Sequence, residues 1–254
     1  MIYKDLYKME KGRLPLVNMF FIISCLVVII STKINSELFY VFGSNTKPKY
    51  FWQYFSGIFE HSLFNPMTGR LSEYFIFVHF GVNLMIIILF GLIIENILGG
   101  GKLLLLNLIG TIISYLSLII NSEGKFGMFA GASGIAYSYI PIGIYIIYKK
   151  CKDEKINFFK QGFSYIYILC LIITIPIITM ISTWKATNSY HLYALIIGSV
   201  FLIFNKKSID NRTYKKGKYY NLLWGLAIVP ILMLVIAIVY NKGILGSVYY
   251  WWGN

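Results

Sequence analysis

The feature that most constrains this chain is its succession of long apolar runs. A helix crosses the hydrocarbon of a bilayer with about 20 mainly apolar residues. Seven such runs are present, at roughly 15–33, 74–95, 103–121, 128–148, 163–183, 188–205 and 220–241. In lipid every backbone polar group must find its partner within the protein, so runs of this length read as helices. The expected fold is all-α, a polytopic bundle of membrane helices. Composition agrees, since 57% of the 254 residues are hydrophobic and 13% charged, against about 25% charged in soluble domains. A water-soluble fold is excluded on that ground. Of three Cys, Cys25 and Cys170 sit inside apolar runs, which gives neither a disulfide framework nor a CxxC metal spacing.

Sixteen Lys and Arg fall in the N-terminal segment, at Lys102 and in the loops 149–160 and 206–218, against seven in the alternate loops. Cytoplasmic loops are enriched in these residues, so the N-terminus is expected inside and the C-terminus outside. The membrane thereby accounts for the net charge of +13, and no nucleic-acid partner is expected. The first run follows a basic stretch as a signal peptide would, yet no A-x-A-like cleavage site follows it, so a retained span is expected. The expected division is a short cytoplasmic N-terminus at 1–14, a six-helix core at 15–205, a basic cytoplasmic loop at 206–219, and a seventh helix with a short outer tail at 220–254. The one long connection, about 34–73, carries Phe51-Trp52-Gln53-Tyr54-Phe55 and Phe59. So aromatic a segment is expected to lie partly in the outer interface, where such rings keep an apolar body in lipid and a polar edge in water.

Polar groups at membrane depth are costly and by default mark a functional site. Here they are few: His79 and Asn83 early in the second run, Glu95 at its inner end, Ser133 early in the fourth and His191 early in the sixth. The orientation puts His79, Ser133 and His191 at one depth near the outer face. His79 and Asn83 are four residues apart and so project from one helical face. They fit convergence on one oxygen, and equally the role of interhelical glue. Gly131-Ala132-Ser133-Gly134 surrounds a hydroxyl with small residues, which suits a nucleophile and also suits close helix packing. His191 is the candidate base for that serine, with a bond to a backbone carbonyl as its structural alternative. Ala194 and Gly198 would let the sixth helix approach the fourth. No acidic third member stands nearby, so the sequence offers a dyad. Tyr137, one turn beyond Ser133, could hold the imidazole by stacking or serve as a core aromatic.

Taken together these residues resemble the rhomboid intramembrane serine proteases over about residues 50–205. Trp52 and the aromatics after it resemble the family's Trp-Arg start of the first outer loop. His79-x-x-x-Asn83 is similar to its HxxxN, and Gly91 to Glu95 with Leu98, Gly99 and Lys102 to its G-x-x-x-E-x-x-x-G stretch. Gly131-Ala132-Ser133-Gly134 with Tyr137 is similar to its GxSG and following tyrosine, and His191-x-x-Ala194-x-x-x-Gly198 to its AHxxGxxxG. The resemblance implies Ser133 as nucleophile and His191 as general base. It further implies an oxyanion hole of His79, Asn83 and the Ser133 backbone N–H. Gly131 and Gly134 would give room around the serine, Tyr137 would position His191, and Glu95 would tie down the inner end of the second helix. Substrates would be membrane proteins cut in or near a transmembrane segment. The seventh run resembles the family's six-plus-one variants.

The chain departs from the pattern in places. Gln53 stands where the family has Arg, residues 63–71 look like an insertion between His61 and His79, and Tyr190 and Ala194 replace Ala and Gly. An inactive relative that binds or escorts membrane proteins is the alternative within the family. Such proteins usually lack the Ser or the His, and both are present here. A three-His zinc site of His61, His79 and His191 lacks HExxH spacing, and a transporter would show an internal repeat. No metal and no cofactor are expected, and His61, placed in the outer loop, is expected to tolerate replacement by Ala. A Lys- and Ile-rich chain without an organelle-type presequence fits the plasma membrane of a low-GC bacterium.

Overall fold

Among the described residues, four helices are long and apolar enough to cross a membrane: Leu16–Ile34, His79–Leu98, Gly100–Ser117 and His191–Asp210. They come from a computed structural model that describes residues 14–61, 64–65, 70–71, 73–121, 128–155, 157 and 189–211. The runs at 163–183 and 220–241 lie outside the described residues.

The element order is α1 (Leu16–Ile34), α2 (Leu38–Phe42), β1 (Ser44–Asn45), two 3₁₀ turns (Phe51–Tyr54 and Ser56–Ile58), and the two-residue strands β2 (Phe64–Asn65) and β3 (Arg70–Leu71). Then follow α3 (Glu73–Ile86), a π turn (Ile87–Gly91), α4 (Leu92–Leu98), α5 (Gly100–Asn121), β4 (Met128–Phe129), α6 (Ser133–Asp153) and α7 (Ser189–Asp210). β2 and β3 pair antiparallel inside the stretch that the sequence marks as an insertion.

Burial divides the helices by role. The span from His79 to Leu98 is 89% buried, whereas α1 and α7 are 33% and 22% buried over their spanning windows. The second span is therefore the axis of the bundle. The outer helices show Phe20, Val27, Leu104, Ile203 and Phe204 on their exposed faces. Such faces are unfavourable in water and suit hydrocarbon, where lipid tails replace side-chain partners.

Close approach around the axis depends on missing side chains. A Cβ on Gly91 would come within 2.4 Å of Asn18 Oδ1 and 2.8 Å of the Tyr139 ring, and one on Gly143 within 2.1 Å of Phe90. Gly91 ends the π turn, the kind of interruption that often accompanies functional sites. Gly99, at φ +85, ends α4 and lets the chain turn directly into α5. On the other flank α7 packs along α6, where a Cβ on Gly198 would meet the Ser138 carbonyl oxygen at 2.1 Å and the Pro141 ring at 2.8 Å.

Two polar clamps fasten helices of the bundle to one another. Val17 and Asn18 donate their backbone N–H groups to the two Glu95 oxygens at 2.9 and 3.0 Å, and Asn18 Nδ2 donates to the same carboxylate at 2.7 Å. The first turn of a helix leaves its N–H groups without intrahelical partners. A carboxylate there satisfies them and meets the positive end of the helix dipole. Tyr139 donates to Asn107 Oδ1, joining α6 to α5.

The fourth apolar run differs from its expected boundaries. Residues 128–129 form β4, which pairs antiparallel with β1 (Ser44 opposite Phe129, Asn45 opposite Met128), and α6 begins only at Ser133. The reason is local. Gly131 has φ +126, outside the helical region, and the pairing with β1 satisfies backbone groups that a helix would otherwise have bonded.

Candidate functional site

Ser133 is the first residue of α6, nearly fully buried, with Ala132 at the cap position. Tyr137 follows one turn later on the same face of α6. Its ring lies 4.3 Å from the His191 ring, at an interplanar angle of 24°. This stacking brings an imidazole from the N-terminal end of α7 over the first turn of α6. The small residues Ala194, 1% exposed, and Gly198 lie one and two turns further along α7, where the close packing on α6 occurs.

The imidazole of His79 occupies the space beside Gly131. A Cβ there would fall 2.3 Å from His79 Cε1 and 2.6 Å from Nε2. Asn83, one turn along α3, is buried, and its Nδ2 has no hydrogen-bond partner among the described residues. A buried amide donor without a partner costs about 1–3 kcal/mol, so such groups in a native fold call for an explanation. Gly134 faces α5, where an added Cβ would strike Ser114 Oγ at 2.0 Å. Its smallness therefore serves helix packing.

The connection at 35–61, called the outer segment for its expected position, is a folded unit rather than a solvated linker. Trp52 is 47% exposed, stacks on Tyr50 at 4.6 Å, and donates its indole N–H to the Val41 carbonyl at 3.0 Å. Gln53 is buried. Its oxygen accepts the Lys49 and Tyr50 N–H groups at 2.7 and 3.0 Å, and its nitrogen donates to the Tyr40 carbonyl at 2.7 Å. Ser56 Oγ donates to the Phe42 carbonyl at 2.5 Å and Gly57 N–H to Ser44 Oγ at 3.2 Å.

This unit reaches the turn that precedes Ser133. Gly131 donates its N–H to the Gly57 carbonyl at 2.8 Å, and Ala132 donates its N–H to His61 Nε2 at 3.0 Å. His61 is fully buried, its Nδ1 lies 3.2 Å from the Phe59 carbonyl, and its ring is 5.3 Å from that of His79. With one ring nitrogen on a carbonyl and the other accepting an amide, neither is left to hold a metal. Gly57 and His61 thus touch the site, although the sequence marked Gly57 for no role and His61 only for a zinc site without the expected spacing. Their partners lie some seventy residues away, and pairings of that range leave no periodic trace.

The Rhomboid domain model matches residues 72–208. That span contains His79, Asn83, Glu95, Gly131, Ser133, Tyr137 and His191, and more than half of the chain. The chain belongs to the rhomboid family. A search of curated proteins finds no match. As a rhomboid with a mostly helical, membrane-suited bundle, it is an integral membrane protein in a family of intramembrane-protease-like proteins. The rhomboid match begins at residue 72, so the outer segment that buries Gln53 and His61 precedes it.

Proposed function

We propose that this rhomboid is an active intramembrane serine endopeptidase that cleaves membrane proteins in or near their transmembrane segments. Ser133 is the nucleophile and His191 the general base. His191 takes the Ser133 hydroxyl proton as Oγ attacks the scissile carbonyl, then delivers it to the departing amine, which leaves an acyl-enzyme. A water molecule, deprotonated by the same imidazole, releases the second product and restores the serine. His79, Asn83 and the Ser133 N–H form the oxyanion hole. Donors of this kind are typically worth about 10² to 10³ in rate.

The observation that carries this reading is the stacking of Tyr137 on His191 one turn from Ser133. It supports a base held at the helix turn that the nucleophile opens. The unpartnered Asn83 Nδ2 supports a donor kept for an oxyanion. The N-terminus is cytoplasmic, the membrane a bacterial plasma membrane, and the core is six helices followed by a seventh.

The test is cleavage of a fluorescent transmembrane substrate in proteoliposomes, together with labelling by a serine-directed fluorophosphonate. Intact protein should do both, and Ser133→Ala and His191→Ala neither. Cleavage that persists in Ser133→Ala would overturn the assignment. An intact protein that neither cleaves nor labels would instead be an escort of membrane proteins.

A further inference from the structure

We propose that His61 is a positioning residue for the nucleophile, acting as a neutral imidazole that fixes the peptide immediately before Ser133. The proposal rests on the serine-protease reading above. The Ala132 N–H points at His61 Nε2 at 3.0 Å, and an amide can donate only to a ring nitrogen that carries no proton. The proton of the neutral ring then sits on Nδ1, which faces the Phe59 carbonyl at 3.2 Å. The two contacts select one tautomer between them.

Burial pushes the His61 pKa well below its ordinary value, the neighbouring His79 acts in the same direction, and the Phe59 carbonyl opposes both. The ring is therefore neutral at physiological pH. Its surroundings restrict it further, with His79 at 5.3 Å and Phe80 at 5.0 Å between ring centres. Its chain neighbour Glu60 is fully buried and accepts a hydrogen bond from Thr32 Oγ1 of α1 at 2.5 Å.

A continuous path follows, from Thr32 on α1 through Glu60 and His61 to Ala132 and the nucleophile. Gly131 is tied to the same loop through the Gly57 carbonyl. Two consecutive amides are thus committed to the outer segment, so neither serves the oxyanion. The peptide that carries the Ser133 N–H is oriented by the two anchored ahead of it. A shift of about 1 Å in a reacting group can cost as much as 10²-fold in rate. On this proposal His61→Ala lowers activity, where the sequence alone led to the expectation of a mild effect.

The experiment compares wild type, Ser133→Ala, His61→Phe and His61→Gln. Phe keeps the ring but offers no acceptor, whereas Gln places an oxygen near the Nε2 position. His61→Phe should lower kcat and the fluorophosphonate labelling rate about 10- to 100-fold with little change in KM. His61→Gln should recover a substantial part of that loss. Wild-type labelling that Ser133→Ala abolishes secures the underlying reading independently. Given that, full-rate labelling by His61→Phe, or no advantage of Gln over Phe, would overturn the positioning role. A measurement on the intact protein removes dependence on variant folding. With ¹⁵N-labelled histidine, His61 should show the neutral Nδ1–H signature, and an Nε2–H tautomer or a charged ring at neutral pH would also overturn it.

Discussion

The Tyr137 and His191 rings lie 4.3 Å apart and within 24° of parallel, joining the fourth apolar run to the sixth. An aromatic face against an imidazole contributes about 0.5–1.5 kcal/mol beyond area burial. It also restricts the imidazole to one plane. Tyr137→Phe keeps the face and should retain kcat within about twofold, while Tyr137→Leu should lose about tenfold. Steady-state cleavage with KM determined separately checks this, and equal kcat for Phe and Leu would show that the stacking does not position the base.

Gly131→Ala should be inactive. The residue has φ +126, and its new methyl would lie 2.3 Å from His79 Cε1. Backbone strain alone costs on the order of 1–3 kcal/mol, and His79 would have to move as well. Thermal unfolding in detergent should fall by several degrees and fluorophosphonate labelling by at least about 10²-fold. A fully active Gly131→Ala would mean that His79 has no place in the oxyanion hole.

Asn83→Ala removes a buried donor that has no hydrogen-bond partner among the described residues. The substitution should therefore cost little stability while lowering kcat about 10²- to 10³-fold. A parallel measurement of melting temperature and kcat separates the two effects. Loss of stability without loss of turnover would mark Asn83 as interhelical glue.

Glu95→Gln weakens the cap on α1. The carboxylate accepts three hydrogen bonds, two from backbone N–H groups of the first turn. Replacing an ionised acceptor at a helix N-terminus by a neutral amide should destabilise the bundle by about 1–3 kcal/mol. Chemical or thermal unfolding in detergent reads this directly. An unchanged unfolding midpoint would mean that the clamp contributes nothing.

Gln53→Arg would introduce the residue that the family pattern carries, and it should destabilise the outer segment. The Gln53 oxygen accepts two backbone N–H groups, from Lys49 and Tyr50. Arginine has no acceptor, so both amides would lose their partner in a buried place. Limited proteolysis of the outer segment should speed up in this variant. A gain in protease resistance would contradict the geometry.

Much of the architecture was legible in the residues. Hydrophobic length located α1, α3 with α4, α5 and α7, because lipid imposes a simple length rule on any helix that spans it. The i,i+4 spacing set His79 and Asn83 on one face, and that of Ser133 and Tyr137 did the same, since helical periodicity is a local property. Small residues at Ala194 and Gly198 foretold the close approach of α7 to α6, later seen at the Ser138 carbonyl.

What the residues alone did not reveal depends on contacts between distant segments. The fourth apolar run reads as helix from 128, yet its first residues pair with β1, more than eighty positions earlier. Hydropathy registers only that a stretch is apolar, and a strand is as apolar as a helix. Gln53 looked like a lost arginine and His61 like a loop histidine, and both are buried hydrogen-bonding anchors. Chain order determined which residues are present at each end of the bundle. Only the packing of the outer segment against the start of α6 decided which backbone groups they bond, because hydrogen bonds are directional and between distant residues form only once the chain has folded.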